Sequence, residues 1–336
     1  MNVISSTTSA TTSATTSDAR GQPTQRELRL ALSRAIGRHG ISVVLPAYNE
    51  EAAIGTTLAA VVAQLDVWDA DFEVIVVNDG SRDRTGAVVE EVARRDPRVR
   101  QIVHTANRGY GGALASGFAA ATKDLTFFMD SDGQYAIADL ARLLVWIDEV
   151  DAVLGYRIAR QDTRMRCFNA WGWNVLVRLV LGVGVRDLDC AFKLLRTVFL
   201  RTYPPETRSA LINAELLYKL TRSGAAYREV GVTHLPRQGG QATGANLRVI
   251  ARAVRDLVLC AWRWRRASLD TLAKPMRAAP GAPSARKNRG RGMARERSPN
   301  ASTSAPDGLL PPSPRAFGPS APWASPSSAA APYSRQ

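Results

Sequence analysis

The sequence predicts an α/β fold: a Rossmann-like, mostly parallel sheet with helices on both faces, followed by an amphipathic helix. Three observations carry this. Short β-branched apolar runs alternate with helix-like segments between residues 41 and 155. Those runs are continuously apolar, the pattern of strands buried on both faces. Three of them end in polar clusters, at the strand ends where open α/β sheets bind their ligands.

The first run, ISVVLPAY at 41–48, reads as a strand stopped at Pro46. Asn49 is placed to cap a helix starting at Glu50. FEVIVVNDG at 72–80 is a second strand, halted by Asn-Asp-Gly, and residues 83–85 open a second helix. A third strand is expected at 99–104, a small-residue helix at 111–121 and a fourth strand at 125–129. A helix at 136–149 and a fifth strand at 152–155 complete the alternation.

Composition sets the boundaries. Residues 1–25 are a Ser/Thr/Ala repeat, expected to be disordered. Residues 267–336 hold twelve of the 18 prolines and ten Lys/Arg against three Asp/Glu, so a disordered basic tail is expected. About half of the +14 net charge lies there, which points to an anionic partner. Between the two, 40–245 form the main domain and 246–266 a separate basic helix. The three cysteines, Cys167, Cys190 and Cys260, are scattered, which suggests neither a disulfide framework nor a zinc site. No secretory leader is expected from the polar N-terminal repeat, and no run of about 18 apolar residues predicts a membrane span.

The polar clusters suggest chemistry. Asp130-Ser131-Asp132 follows the buried run FFM, and residues two apart in extended chain point the same way. Two carboxylates so placed make a hard oxygen site suited to Mg²⁺ or Mn²⁺. An isolated Asp-x-Asp is as easily a solvated turn; the two neighbouring clusters, Tyr48-Asn49-Glu50 and Asn78-Asp79-Gly80-Ser81, favour the metal. Asp79 can accept a hydrogen bond from a base or ribose, and Asn-Asp-Gly equally suits a plain turn. The G-x-G-x-x-G dinucleotide loop is missing after the first strand, which disfavours a dehydrogenase.

In order along the chain, VVLPAYNEE, EVIVVNDGSRDRT, NRGYGGAL, FFMDSDGQY and GYR resemble the motifs of family 2 glycosyltransferases of the GT-A fold. The branch most similar is that of the dolichol- and polyprenyl-phosphate sugar synthases, which use mannose or glucose, and the resemblance spans roughly 40–245. It implies inverting transfer of a hexose from a GDP- or UDP-sugar to polyprenyl phosphate with Mg²⁺ or Mn²⁺. It places Pro46, Tyr48, Glu50, Val77, Asp79 and Ser131 on the donor side. Asp130 and Asp132 become the catalytic, metal-holding carboxylates, with Gln134 supporting the metal; Asp130 alternatively faces the donor sugar or ribose. Arg157 becomes catalytic and, with Arg166 and Arg237, holds the acceptor phosphate, a task suited to the planar guanidinium. An acceptor phosphate is already anionic near neutral pH and needs no strong base. Three departures stand out: Asn78 for a frequent Asp, Ala191 for Gly in DLDCAFK, and Thr243 for a common lysine.

Residues 247–266 predict a basic amphipathic helix with an apolar stripe of Val249, Ile250, Val254, Leu257, Val258, Ala261 and Trp262. That stripe can rest on a membrane surface or pack on the domain, and the two readings weigh almost equally. The apolar stretch 168–183 can also rest on a bilayer. The expected setting is the cytoplasmic face of a membrane, with peripheral attachment. The rival readings are the same fold acting on a soluble or glycan acceptor, and a non-catalytic nucleotide- or nucleic-acid-binding module; no specific nucleic acid is expected. His39, His104 and His234 are isolated in sequence and are assigned no chemistry.

Overall fold

The computed structural model describes residues 25–158, 164–236 and 247–266. The expectations for 1–24 and 267–336, and for Arg237 and Thr243, lie outside these residues. The architecture is a seven-stranded sheet with helices on both faces, in the strand order β3-β2-β1-β4-β6-β5-β7.

The first half follows the alternation read from sequence: β1 (Ile41–Ala47), α2 (Ile54–Val67), β2 (Phe72–Asn78), α3 (Thr85–Arg95), β3 (Val99–Val103), α4 (Tyr110–Ala120) and β4 (Leu125–Met129). An earlier helix, α1 (Gln25–Arg38), packs against α5 (Leu140–Leu144) and sends Ala35 into the core. β1, β2 and β4 are wholly buried, which is why their sequences are apolar without alternation. Alternate residues still divide between two cores. Val43, Leu45 and Phe127 face the layer of α2, α3 and α5, whereas Val44 and Phe128 face that of α4.

Two boundaries differ from expectation. Asn49 does not cap a helix at Glu50. It adopts φ 55°, and its side-chain oxygen accepts from the Arg82 amide, so α2 starts only at Ile54. The helix expected at 136–149 reduces to a 3-10 turn, Ile137–Asp139, and the short α5.

The second half departs from strict alternation. β5 (Ala152–Ile158) runs three residues beyond the expected end, and β6 (Phe192–Arg196) lies antiparallel between it and β4. β7 (Tyr227–Thr233) adds a parallel edge beside β5. α6 (Arg164–Leu181), α7 (Thr197–Thr202), α8 (Ile212–Ser223) and α9 (Leu247–Arg266) are the remaining helices among the described residues. α7 packs against α4, and α9 against α6.

α4 approaches the sheet closely because it is built from small residues. A Cβ on Gly117 would collide with the Val44 side chain of β1. Gly117→Ala is therefore expected to destabilise by about 1–3 kcal/mol, since overpacking outweighs the gain in helix propensity. A lowered midpoint in urea unfolding checks this; an unchanged or raised midpoint would show that Val44 yields freely.

Candidate nucleotide and metal site

Three strand ends are laced together at one edge of the sheet. Pro46 has no N–H, and β1 pairs with β4 only as far as Val44 opposite Phe128. Beyond that point a side chain takes over: Ser131 Oγ donates to the Pro46 carbonyl at 2.8 Å. Thr57 Oγ1 of α2 donates to the Ser131 carbonyl at 3.0 Å. The β1 and β2 ends are tied by the Asp79 amide on the Ala47 carbonyl at 2.9 Å. Further out, the Asn49 amide donates to Ser81 Oγ and the Glu50 amide to Thr85 Oγ1, at 3.0 and 2.8 Å.

This lacing leaves Asp130 and Asp132 on the rim after β4. Burial, and then the neighbouring charge of Asp132, push the Asp130 carboxyl up to about 7; Tyr110, Lys193 and Arg157 oppose the shift. The Tyr110 hydroxyl is buried against Asp130 without closing a hydrogen bond of normal geometry. Behind them, Lys193 of β6 is a buried cation whose ammonium donates to the Leu188 carbonyl and to Asn213 Oδ1, at 3.2 and 3.0 Å, and to the Cys190 carbonyl. Burial lowers its pKa, against the raising influence of Cys190, Asp187, Asp189 and Asp130.

Two carboxylates pressed together at a rim suit a divalent cation. Among the described residues, no three His, Cys, Asp or Glu side chains converge on one point. Among the described residues a cation here would find at most the pair Asp130 and Asp132, which would fit the habit of Mg²⁺ to bind one or two carboxylates and complete its shell with substrate phosphates and water. It does not fit a cation enclosed by protein ligands.

Asp79 is more engaged than its sequence suggests. Its Oδ1 accepts from the Arg108 amide at 2.8 Å and lies 2.6 Å from His104 Nδ1, while Oδ2 accepts from the Gly109 amide at 2.8 Å. Three of about four acceptor positions on the carboxylate are thereby filled. His104 Nε2 in turn lies 2.9 Å from Ser116 Oγ. Nothing in the sequence pairs His104 with Asp79, 25 residues away.

Several expected residues are placed otherwise. Val77 is fully buried in the α4-side core, so its side chain cannot meet a base. Pro46 is buried too and reaches the rim only through its carbonyl. Ser131 is buried and spends its hydroxyl on that carbonyl, which makes it a tie between strands. Gln134 meets Asp132 through its amide, at 3.1 Å to Oδ1, while its side chain donates to the Leu235 carbonyl at 3.4 Å. Tyr48 is 43% exposed at the rim, as a stacking residue would need to be, and Glu50 is half-buried beside it. Arg157 is engaged by Asp187, with Nε at 2.7 Å and Nη2 at 2.8 Å from its two oxygens. Arg166 lies on α6, but its side chain is outside the described residues.

Residues 42–203 match the family model Glycosyl transferase family 2. An undecaprenyl-phosphate 4-deoxy-4-formamido-L-arabinose transferase of Edwardsiella ictaluri is 30% identical over 232 residues, covering 66% of this chain and 67% of that protein. The chain belongs to glycosyl transferase family 2. Glycosyltransferase AglD of Haloferax volcanii is 38% identical over 181 residues, 52% of this chain, and this chain spans only 28% of its length. A polyprenol monophosphomannose synthase of Mycolicibacterium smegmatis is 28% identical, with 68% of this chain and 84% of that one covered. Among solved structures, glucosyl-3-phosphoglycerate synthase from Mycobacterium tuberculosis with Mn²⁺, UDP and phosphoglyceric acid superposes with a TM-score of 0.53. It is 22% identical, over 73% of this chain and 82% of that chain. The fold is thus that of the GT-A glycosyltransferases.

Proposed function

We propose that this family 2 glycosyltransferase moves a hexose, with inversion, from a nucleoside diphosphate sugar such as GDP-mannose or UDP-glucose to a polyprenyl phosphate. The observation that carries the reading is the pair Asp130 and Asp132 on a rim shared with Tyr48, Asp79 and Arg157. An acceptor phosphate oxygen forms the new bond to the anomeric carbon. The bond from that carbon to the diphosphate breaks, and its electron pair leaves with the nucleoside diphosphate. Mg²⁺ or Mn²⁺ at Asp130 and Asp132 would supply charge neutralisation for that leaving group. Tyr48 and Glu50 line the nucleotide, and Asp79 offers its remaining acceptor to the base. Arg157, and in the same reading Arg166 and Arg237, hold the acceptor phosphate. The relatives named for undecaprenyl phosphate and polyprenol support a lipid acceptor. Initial rates with purified protein, Mn²⁺ and a panel of donors decide the matter. Turnover that requires polyprenyl phosphate supports it; equal transfer to a soluble acceptor without lipid would overturn it.

Attachment to the cytoplasmic face of a membrane is part of the proposal. No helix among the described residues is long and apolar enough to cross a bilayer. The expected stripe of α9 splits in two. Of its residues, Leu257 and Ala261 are buried, whereas Val258 and Trp262 are more than half exposed; outside it, Trp264 is buried and stacked on Tyr218 of α8, and Leu259 is more than half exposed. α6, its neighbour, exposes Trp171 and Leu179. One face of the helix packs on the domain, and in this reading the exposed face rests on the bilayer. Leu259→Ser with Trp262→Ser is expected to weaken binding to anionic vesicles more than tenfold, since burying each side chain contributes about 1.5–3 kcal/mol. The thermal midpoint should stay unchanged. Undiminished vesicle binding in a sedimentation assay would rule out this face.

A further inference from the structure

We propose that Glu215 is a positioning residue for the donor site, acting through the turn at 206–209 and the first turn of α4. The inference rests on the nucleotide-sugar reading above.

Glu215, on α8, is fully buried. Its carboxylate accepts from the Glu206 amide at 2.8 Å, the Thr207 amide at 2.9 Å, the Thr207 hydroxyl at 2.6 Å and the Lys219 ammonium at 2.6 Å. Four donors fill the four acceptor positions of a carboxylate, so Glu215 has none left for a substrate proton. Lys219 closes the network by donating to the Pro204 carbonyl at 2.6 Å. Charge-assisted bonds of this kind fix the backbone at 204–207 more firmly than neutral ones.

The turn so fixed grips α4. The Arg208 carbonyl accepts from the Gly111 and Gly112 amides at 3.0 and 3.3 Å, which occupies N–H groups that a helix N-terminus otherwise offers to an anion. A Cβ on Gly109 would stand 2.6 Å from the Arg208 carbonyl oxygen, and one on Gly111 would stand 2.6 Å from that of Ser209. Gly109 itself, at φ 82°, is tied from the other side by Asp79. α4 thus begins between two clamps, Asp79 on the β2 end and Glu215 on α8. Tyr110, the residue between those glycines, carries the hydroxyl that faces Asp130. Loosening the Glu215 clamp frees the first turn of α4 and moves Tyr110 relative to the metal carboxylates, with no change at the acceptor side.

The test is calorimetric titration of UDP and GDP, each with Mn²⁺, into full-length variants. Glu215→Gln leaves Lys219 without its counter-charge. Thr207→Val is the milder variant, removing one hydroxyl at constant shape, and it covers the case in which Glu215→Gln does not fold. Gly111→Ala pushes on the same turn from the α4 side. Each is expected to weaken nucleotide affinity roughly tenfold, leaving the acceptor KM unchanged. Thr207→Val combined with Gly111→Ala should cost less than the sum of the two, because both act through one turn. Variants that bind as wild type while melting earlier would overturn the positioning role, as would strict additivity. Wild-type protein that binds neither nucleotide would remove the donor reading and this inference together; intact wild-type binding with unaffected variants removes this inference alone.

Discussion

Asp132→Ala should lower turnover at least a hundredfold, roughly the loss seen when one preorganised group facing transition-state charge is deleted. EDTA should do the same to the unaltered protein, and Mn²⁺ or Mg²⁺ should restore it. Full activity of the variant, or indifference to EDTA, would falsify the metal role. The Asp130 carboxyl adds a pH signature. Its pKa is raised to about 7 from the ordinary 3.8, by burial first and then by the charge of Asp132. Between those values the folded state holds a proton that the unfolded state has released, so stability falls as pH rises through that window and levels off above it. Asp130→Asn should flatten the fall, seen as a thermal midpoint that no longer drops between pH 4 and 7. A bound cation should oppose it in the unaltered protein, because it favours the ionised carboxylate. A midpoint that drops equally in Asp130→Asn would place the titrating group elsewhere.

The strand ends were legible because the sheet is buried on both faces. ISVVLPA, FEVIVVN and LTFFM announce themselves by apolar continuity, and the residues after them must lie on one rim if the strands are parallel. β6 was not legible as a strand: FKLLR is only five residues long, and Lys193 interrupts its apolar run. Nor does composition state direction, so the antiparallel insertion between β4 and β5 came from the structure alone. The periodicity of 247–266 indicates an amphipathic helix, but which of its faces is buried depends on partners such as Tyr218, far away in sequence. Within the site, sequence identified which residues reach the rim more readily than what occupies them. Asp79 reads as an open acceptor until His104 and the amides of Arg108 and Gly109 are seen on it. Ser131 and Val77 lie in strand-end segments of the chain, but their side chains turn into the scaffold. Such pairings depend on long-range packing, which a local pattern does not encode.

Arg157 illustrates this and carries the second large effect. Its guanidinium grips both oxygens of Asp187, and both side chains are largely buried. Burial alone would lower the guanidinium pKa; Asp187 reverses this and keeps the group charged. Arg157→Met should therefore destabilise the protein by up to about 3–5 kcal/mol, because Asp187 loses the guanidinium that grips both its oxygens. A loss of activity in that variant says nothing about the acceptor. Arg157→Met with Asp187→Asn separates the two roles: it removes both charges, so most of the stability should return. If Arg157 also holds the acceptor phosphate, the acceptor KM of the double variant should stay raised by roughly tenfold or more, the loss of one charge-assisted contact of about 1.5–3 kcal/mol. Nucleotide affinity should be unchanged if, as proposed, the donor binds toward Asp79 and Asp132. A lysine at 157, with Asp187 kept, should recover stability better than acceptor binding, because a point charge pairs with one carboxylate but cannot span it and a phosphate with a planar fork. Urea unfolding and acceptor-dependent initial rates on the same three variants give the answer. A double variant with restored stability and a normal acceptor KM would leave Arg157 as the partner of Asp187 and nothing more.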